Sequence, residues 1–246
     1  MDKSYYIEYF DLERNNWWFR ARLQIIRSQV ALIANGRKDL NILNVGVATG
    51  ATSVMLQEFG KVKSIEYDAD CLAFVKERLD LDLEQGSIME LRFEDNTYDL
   101  VCAFDVIEHV ENDQLAAHEM LRVCKPKGNV LVTVPAFMFL WSHHDVVNQH
   151  FRRYTLKGLN TLFHGHTILY STYINTLLFI PISLVRFLSK LIPFKREGSG
   201  SDFGLIQNKF LNGMFYTTFI SENALLRKKI SLPFGVSALT SIMKNN

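Results

Sequence analysis

Apolar residues along the chain follow two spacings, one suited to helices and one to strands. Leu23, Ile26, Val30 and Ile33 recur at three- and four-residue intervals, so residues 21–35 are expected to form a helix stopped by Gly36. The short apolar run Leu40-Asn41-Ile42-Leu43-Asn44-Val45 enters a glycine turn and reads as a first strand. Residues 51–59 return to helical character. A second strand is expected over 61–66, and a helix over 70–79 with Leu72, Val75 and Leu79 in register. A short strand at 81–84 and a fuller one at 98–104 follow. Within 112–124, Ala117, Met120, Leu121 and Cys124 stand at i, i+3, i+4 and i+7 of a helix. Lys125-Pro126-Lys127-Gly128 should break that helix before a β-rich strand at 129–134. Strands alternating with helices predict an α/β fold with a parallel sheet and right-handed crossovers.

After Pro135 the pattern changes. Residues 136–154 are rich in aromatics, His and Arg and read as loop or short helices. Thr155 can cap a helix reaching residue 163, and 166–173 alternates as a sixth strand. Residues 181–192 suit a helix with Pro181 in its first turn and a narrow polar stripe of Ser183, Arg186 and Lys190. Residues 195–202, containing Gly198-Ser199-Gly200-Ser201, read as a linker, and 208–228 as a helix. Pro233-Phe234-Gly235 then leads into a last strand over 236–243. The organisation expected is one domain: a helical cap (1–38), a nucleotide-type core (39–135), a loop, helix and sixth strand (136–174), a helical insertion (175–232) and the terminal strand (233–246). The sheet does not require the insertion, which leaves it available to a substrate. The uncharged run 167–185 is at the lower edge of a membrane span. Asn175, several hydroxyls and Pro181 interrupt it, so no span is expected.

The 246 residues, 48% hydrophobic and 22% charged, suffice for one large α/β domain. A net charge of +1 provides no global field to recruit nucleic acid, and no nucleic-acid partner is expected. Cys71, Cys102 and Cys124 are odd in number with no C-x-x-C pair, which argues against a disulfide framework and suits a reducing cytoplasm. The polar start Met1-Asp2-Lys3-Ser4 lacks the apolar centre of a signal peptide.

The turn Asn44-Val45-Gly46-Val47-Ala48-Thr49-Gly50 lies between a strand and a helix, where glycine lets a ligand approach the backbone near a helix N-terminus. Glu66, at the carboxyl end of the second strand, can accept hydrogen bonds from both hydroxyls of a ribose. Taken singly, such a turn also occurs without a ligand, and such a Glu also occurs merely solvated.

Three segments together resemble the class I S-adenosylmethionine-dependent methyltransferases. Residues 42–50 resemble the family's first motif, an apolar strand followed by acidic-x-Gly-x-Gly-x-Gly. Tyr98-Asp99-Leu100-Val101-Cys102-Ala103-Phe104-Asp105-Val106-Ile107-Glu108-His109 resembles its fourth-strand motif, and Leu121-Arg122-Val123-Cys124-Lys125-Pro126-Lys127-Gly128 the turn before strand five. Further segments are similar to a bacterial type 11 branch associated with cell-surface glycan and lipid biosynthesis. They are Trp17-Trp18-Phe19-Arg20-Ala21-Arg22, Val134-Pro135-Ala136, Leu140-Trp141-Ser142-His143-His144-Asp145, His150-Phe151-Arg152-Arg153-Tyr154 and Pro233-Phe234-Gly235-Val236-Ser237.

The resemblance implies a Rossmann-like seven-stranded sheet of order 3-2-1-4-5-7-6, its last strand antiparallel, flanked by helices and carrying a helical insertion before that strand. It implies S-adenosyl-L-methionine as cofactor and S-adenosyl-L-homocysteine as product, bound by Asn44, Gly46, Ala48, Gly50, Glu66, Tyr67, Ser87, Ile88, Phe104 and Asp105. Asn44 stands where the family carries an acidic residue, and is expected to accept from the cofactor's ammonium without charge assistance. Ala48 replaces the middle glycine and is expected to keep a negative φ. Ser87 replaces a commonly acidic partner of the adenine amino group, with Ile88 on the adenine face. Weaker cofactor binding is the expected consequence.

Methyl transfer is an in-line displacement in which the protein aligns the acceptor and excludes water, and an oxygen acceptor benefits from a base. His109 and His144 are the candidate bases, with Asp145 orienting or charging His144. Arg152 and Arg153 offer planar forks for an acidic group on the acceptor. Trp17, Trp18 and Trp141 could wall the acceptor site, with Arg20, His150 and Tyr154 completing it. Each has a structural alternative: His109 and His144 as hydrogen-bonders, the arginines as loop pins, Trp17 and Trp18 as helix packing. Asp105-x-x-Glu108-His109 invites a divalent ion. Asp105 is expected instead at the cofactor's methionine moiety and Glu108 as a cap of the next turn, so no metal is assigned. The function expected is O-methylation of a small-molecule, sugar, glycan or lipid-linked acceptor in the cytoplasm. The insertion, through residues 175–194, would act as a lid or as a shallow contact with the inner membrane face. C-methylation of a quinone-like lipid, or a cofactor-binding regulator without turnover, are the alternatives. An NAD-dependent oxidoreductase would need a tighter G-x-G-x-x-G turn.

Overall fold

The computed structural model describes residues 3–191 and 208–246, so the linker read at 195–202 lies outside the described residues, as does the side chain of Lys190. Two helices open the chain, α1 (Lys3–Asn15) and α2 (Trp17–Ala34). Asn16 separates them, its side chain accepting from the Trp18 amide at 2.9 Å as an N-cap. The periodic reading began α2 at residue 21 and found no α1. The first helix owes its place to tertiary contacts rather than to a clean apolar stripe. Tyr6 and Phe10 pack on Phe74, and the Tyr6 hydroxyl donates to Asp68 at 2.9 Å. Asn35, at φ +47°, closes α2 in the left-handed conformation.

The strands are β1 (Leu40–Val45), β2 (Gly60–Glu66), β3 (Asp82–Gln85), β4 (Tyr98–Phe104), β5 (Cys124–Pro135), β6 (Thr167–Ile174) and β7 (Ser237–Met243). They form one sheet of order β3-β2-β1-β4-β5-β7-β6, the order expected. Strands β1 to β5 are parallel, and β7 runs antiparallel between β5 and β6. Helices cover both faces, which is why β1 and β4 read as unbroken apolar runs: Ile42, Leu43, Leu100 and Val101 are all fully buried. The preceding helix ends at Val123, before Lys125-Pro126-Lys127-Gly128 as expected, but the strand begins earlier than residue 129, at Cys124. Tyr98 pairs with Cys124 and Leu100 with Asn129, so the extra residues are absorbed as an irregularity inside β5.

The remaining helices are α3 (Ala51–Leu56), α4 (Ala69–Lys76), α5 (Asp113–Val123), α6 (His143–Val147), α7 (Leu156–Thr161), α8 (Phe179–Leu191), α9 (Lys209–Ser221) and α10 (Asn223–Leu226). The helix expected over 208–228 is divided at Glu222. That buried carboxylate accepts from the Asn175 and Leu177 amides at 2.9 and 2.7 Å, tying the end of the insertion to its beginning.

The insertion is also more than an accessory to the sheet. Phe219 and Leu226 are fully buried in the same cluster as Ile25, Ile26 and Leu131, and Trp17 stacks at 5.4 Å from Phe215. Helix α9 therefore closes the core on the side of α2. Phe219→Ala should cost about 3–5 kcal/mol of stability, visible as a lower thermal midpoint. A loss below about 1 kcal/mol would place α9 outside the cooperative core.

Candidate functional site

The carboxyl ends of β1, β2, β4 and β5 open on a cavity of about 890 Å³, walled by α1, α2 and the start of α8. Its floor is the turn after β1, where Gly46 and Ala48 have φ of +73° and +48°; Gly50, at φ +92° and expected at the cofactor, is not among the lining residues and faces Leu79 instead. The positive φ of Ala48 overturns the expectation of a negative one, at a cost of about 1 kcal/mol for a residue with a Cβ. Glu66 holds the turn in this shape. Its Oε2 accepts from the Val47 and Ala48 amides at 3.0 and 3.1 Å, and its Oε1 from the Asp68 amide at 3.0 Å. The Cys71 thiol lies 3.1 Å from the Ala48 carbonyl. Burial pushes the Glu66 carboxyl up, and the backbone donors oppose that shift. Gly46 has no room for a side chain, since a Cβ there would lie 2.4 Å from Val106 Cγ2.

Asn44 is not among the residues that line the cavity. It is fully buried behind the turn, its Nδ2 donating to Thr52 and Ser53 hydroxyls at 3.1 and 2.8 Å. The acidic group at this end comes from α1 instead. Glu13, buried, accepts from the Thr49 hydroxyl and from the Ala51 amide at 3.4 Å, capping the helix that follows the turn. Glu13 escaped the sequence reading because residues 1–20 carry no periodic signal.

Tyr67, Ser87, Ile88, Phe104 and Asp105 all line the cavity. Tyr67 is 75% exposed at the rim and Ile88 is buried. The Ser87 hydroxyl oxygen accepts from the Met89 amide at 3.2 Å, which leaves its proton to donate. Asp105, at φ +57°, is paired through Oδ2 with Arg22 at 2.7 Å, and its Oδ1 accepts from the Thr133 hydroxyl at 3.2 Å. Arg22 is thus a second wall residue that sequence reading named only within a motif.

On the acceptor side the pairings differ from those expected. Asp145 does not orient His144. Fully buried, it accepts from His150 Nδ1 at 2.9 Å, from Arg153 Nε and Nη2 at 2.7 and 2.9 Å, and from the Ser142 amide at 2.8 Å. Burial alone would raise its carboxyl, but the hydrogen bonds from His150 and Arg153 outweigh that and hold it well below the usual range. His144, also in the wall, meets Asn148 Nδ2 at 3.1 Å.

The arginines are equally engaged. Arg153 is spent on Asp145 and on the Ala136 carbonyl at 3.2 Å, and Arg152 on Asp113 at 2.7 Å and the Glu111 carbonyl at 2.6 Å. The Tyr154 hydroxyl donates to Asp113 at 2.8 Å. Neither Arg152 nor Tyr154 lines the cavity, and Trp141 and Arg20 do not either; Arg20 lies over the Tyr216 ring at 4.6 Å. Trp17 and Trp18 do line it, and Arg22 sits 5.2 Å from the Trp18 ring.

His109 and His150 face the cavity edge to face, with centroids 4.5 Å apart. Burial, with the His150 ring beside it, lowers His109 to about 4. Glu108 is fully buried in the same wall, and among the described residues neither of its oxygens has a hydrogen-bond partner. It does not cap the next helix; Asn112 does, accepting from the Leu115 amide at 2.9 Å.

Residues 43–132 match the family model described as a methyltransferase domain. The chain is 30% identical over 126 residues to a Mycolicibacterium smegmatis protein named a probable S-adenosylmethionine-dependent methyltransferase, covering 50% of this chain and 48% of that one. It is 29% identical over 145 residues to the ubiquinone biosynthesis O-methyltransferase of Rickettsia bellii, covering 52% and 60%. The chain thus spans about half the length of the first of these relatives. Its fold is similar to that of a Thermotoga maritima S-adenosylmethionine-dependent methyltransferase, with a TM-score of 0.59 at 15% identity, covering 98% of this chain and 96% of that one.

The residues present fit the cofactor of such domains, S-adenosylmethionine. The carboxylates of Glu13, Glu66 and Asp105 line the cavity, which suits a ligand that carries positive sulfonium and ammonium groups. Gly46→Val should weaken S-adenosylhomocysteine binding by roughly 100-fold in calorimetry with the circular dichroism unchanged. Retained affinity would remove the turn from the site. Asp145→Ala strands the buried Arg153 guanidinium, and a loss of about 3–5 kcal/mol is expected in urea denaturation.

Proposed function

We propose that the chain is an S-adenosylmethionine-dependent methyltransferase that methylates an oxygen of a sugar, glycan or lipid-linked acceptor. The observation that carries this reading is the continuity of one cavity. The glycine turn and Glu66 line it together with Glu108, His109 and His150. Its volume suits a nucleoside cofactor together with a small acceptor group.

When bound, the cofactor supplies a methyl group on a cationic sulfur, already activated for displacement. The chain's own residues then have three tasks. The Glu66 carboxylate, at the end of β2, can accept from a ribose hydroxyl, and Ile88 and Ser87 line the wall where an adenine would meet it. Trp17, Trp18 and Phe104 exclude water from the reacting centre. The polar end at Glu108, His109 and His150 receives the acceptor's hydroxyl, which favours oxygen over a quinone carbon.

The surface of α8 supports a lipid-linked acceptor. Pro181, Ile182 and Val185 line the cavity, while Ile180 (71% exposed), Leu184, Phe187 and Leu188 present an apolar face outward at its rim. Phe210 and Met214 of α9 are exposed as well. Among the described residues no helix is long and apolar enough to cross a membrane, so α8 would lie on a bilayer as a shallow contact. The motif resemblance around residues 17–22 and 140–154 supports the cell-surface branch.

The test is binding followed by transfer. The protein should bind S-adenosylhomocysteine and move tritium from methyl-labelled S-adenosylmethionine onto a hydroxyl of a bacterial glycan or lipid-linked acceptor fraction. No binding overturns the reading; label found on the ring carbon of a quinone replaces it with C-methylation.

A further inference from the structure

The wall of the cavity brings three side chains able to bind a metal close together. Glu108 and His109 stand on the short turn Ile107–His109 directly after β4. His150 is brought against them because the Phe151 amide donates to the Glu108 carbonyl at 2.8 Å. One ligand-capable atom from each of the three lies within 4.8 Å of the others. Around a single ion with bonds of ~2.1 Å, ligand atoms sit about 3 to 4 Å apart, so only a small closure is needed.

Two further observations point to a ligand. Glu108 is completely buried, yet neither carboxylate oxygen is hydrogen-bonded to a neighbouring residue among those described. A buried carboxyl group is ordinarily paired, coordinated or neutralised by a proton, and a divalent cation can take the proton's place. His150 is also prepared for coordination. Its Nδ1 donates to Asp145 at 2.9 Å, and Asp145 is itself held by Arg153 and the Ser142 amide. This places the ring proton on Nδ1 and the lone pair on Nε2, the arrangement by which a carboxylate orients a metal-binding imidazole. His109 has a hydrogen bond to the Asn148 backbone, leaving its other nitrogen for the cluster.

We propose that Glu108, His109 and His150 hold a divalent cation whose remaining coordination positions face the cavity. Two imidazoles and one carboxylate suit manganese, iron, cobalt or zinc; magnesium and calcium prefer oxygen donors throughout. The expectation of no metal rested on Asp105 at the cofactor's methionine moiety and on Glu108 capping the next turn; Asn112 fills the capping role, and Asp105 is not among the three proposed ligands. The further step rests on the methyltransferase reading: the cation receives the acceptor's hydroxyl oxygen and lowers its pKa. The hydroxyl proton leaves to solvent, an oxygen lone pair forms the bond to the methyl carbon, and the carbon–sulfur pair returns to sulfur, leaving a neutral thioether.

The experiment is titration of the chelator-treated full chain with Mn2+, followed by electron paramagnetic resonance of the free ion, and with Zn2+ by calorimetry. S-adenosylhomocysteine binding is measured on the same samples. One equivalent should bind to the wild type. Glu108→Gln and His150→Asn should each weaken it at least about tenfold while S-adenosylhomocysteine affinity stays within about twofold. Absence of metal binding, or equal affinity in the wild type and both variants, overturns the site. Metal binding that depends on Glu108 without S-adenosylhomocysteine binding keeps the site and sinks the methyltransferase reading; the reverse result does the opposite.

Discussion

The ion pair between Asp145 and Arg153 decides how the segment after β5 sits on the sheet. Both side chains are buried, and the carboxylate gathers four donors from three places in the segment: Ser142, His150 and both edges of the Arg153 fork. The base of the loop is closed by hydrogen bonds between Pro135 and Tyr154 and between Tyr154 and Phe137. A charge of this kind is expensive to bury unless every lone pair is used. The loop therefore has one arrangement that satisfies it, and that arrangement points His150 at His109 and Glu108.

A second carboxylate plays a comparable part at the other end of the cavity. Glu66 takes three backbone amides and so compensates the left-handed Ala48 within the turn. The N-terminal helices finish this end, with Glu13 capping α3 and Arg22 holding Asp105. Because α9 packs on α2, the insertion steadies the same helices that wall the cavity. Cap, sheet and insertion thus act on one site, and the α8 face links that site to an apolar surface. The metal site and the acceptor follow from a shared feature: the polar end of the cavity is built from residues whose partners are either complete, as at Asp145, or missing, as at Glu108.

Most elements of the sheet were legible along the chain, while their order came from the family resemblance. Apolar spacing is a local property, each glycine or proline punctuates it locally, and right-handed crossovers leave few ways to arrange alternating strands and helices. The glycine turn and Glu66 were legible for the same reason, since strand ends in such a sheet converge on one crevice. Helix α1 was not, because aromatic contacts with α4 hold it.

What tertiary structure alone decided was the choice of partners. Along the chain Asp145 is next to His144, but neighbours on a helix point apart, and His144 meets Asn148 one turn on. Asp145 instead reaches His150 and Arg153, which return to it only when the loop closes. Asn44 reads as a ligand contact and turns away from the cavity to bind Thr52 and Ser53. Glu108 reads as a cap, and its carboxylate has no hydrogen-bond partner in another residue among those described. Residue type and spacing determined which strand ends carry chemistry. Pairing across the cavity depends on directions and distances that exist only once the chain has folded, because burial penalises every polar atom left unmatched.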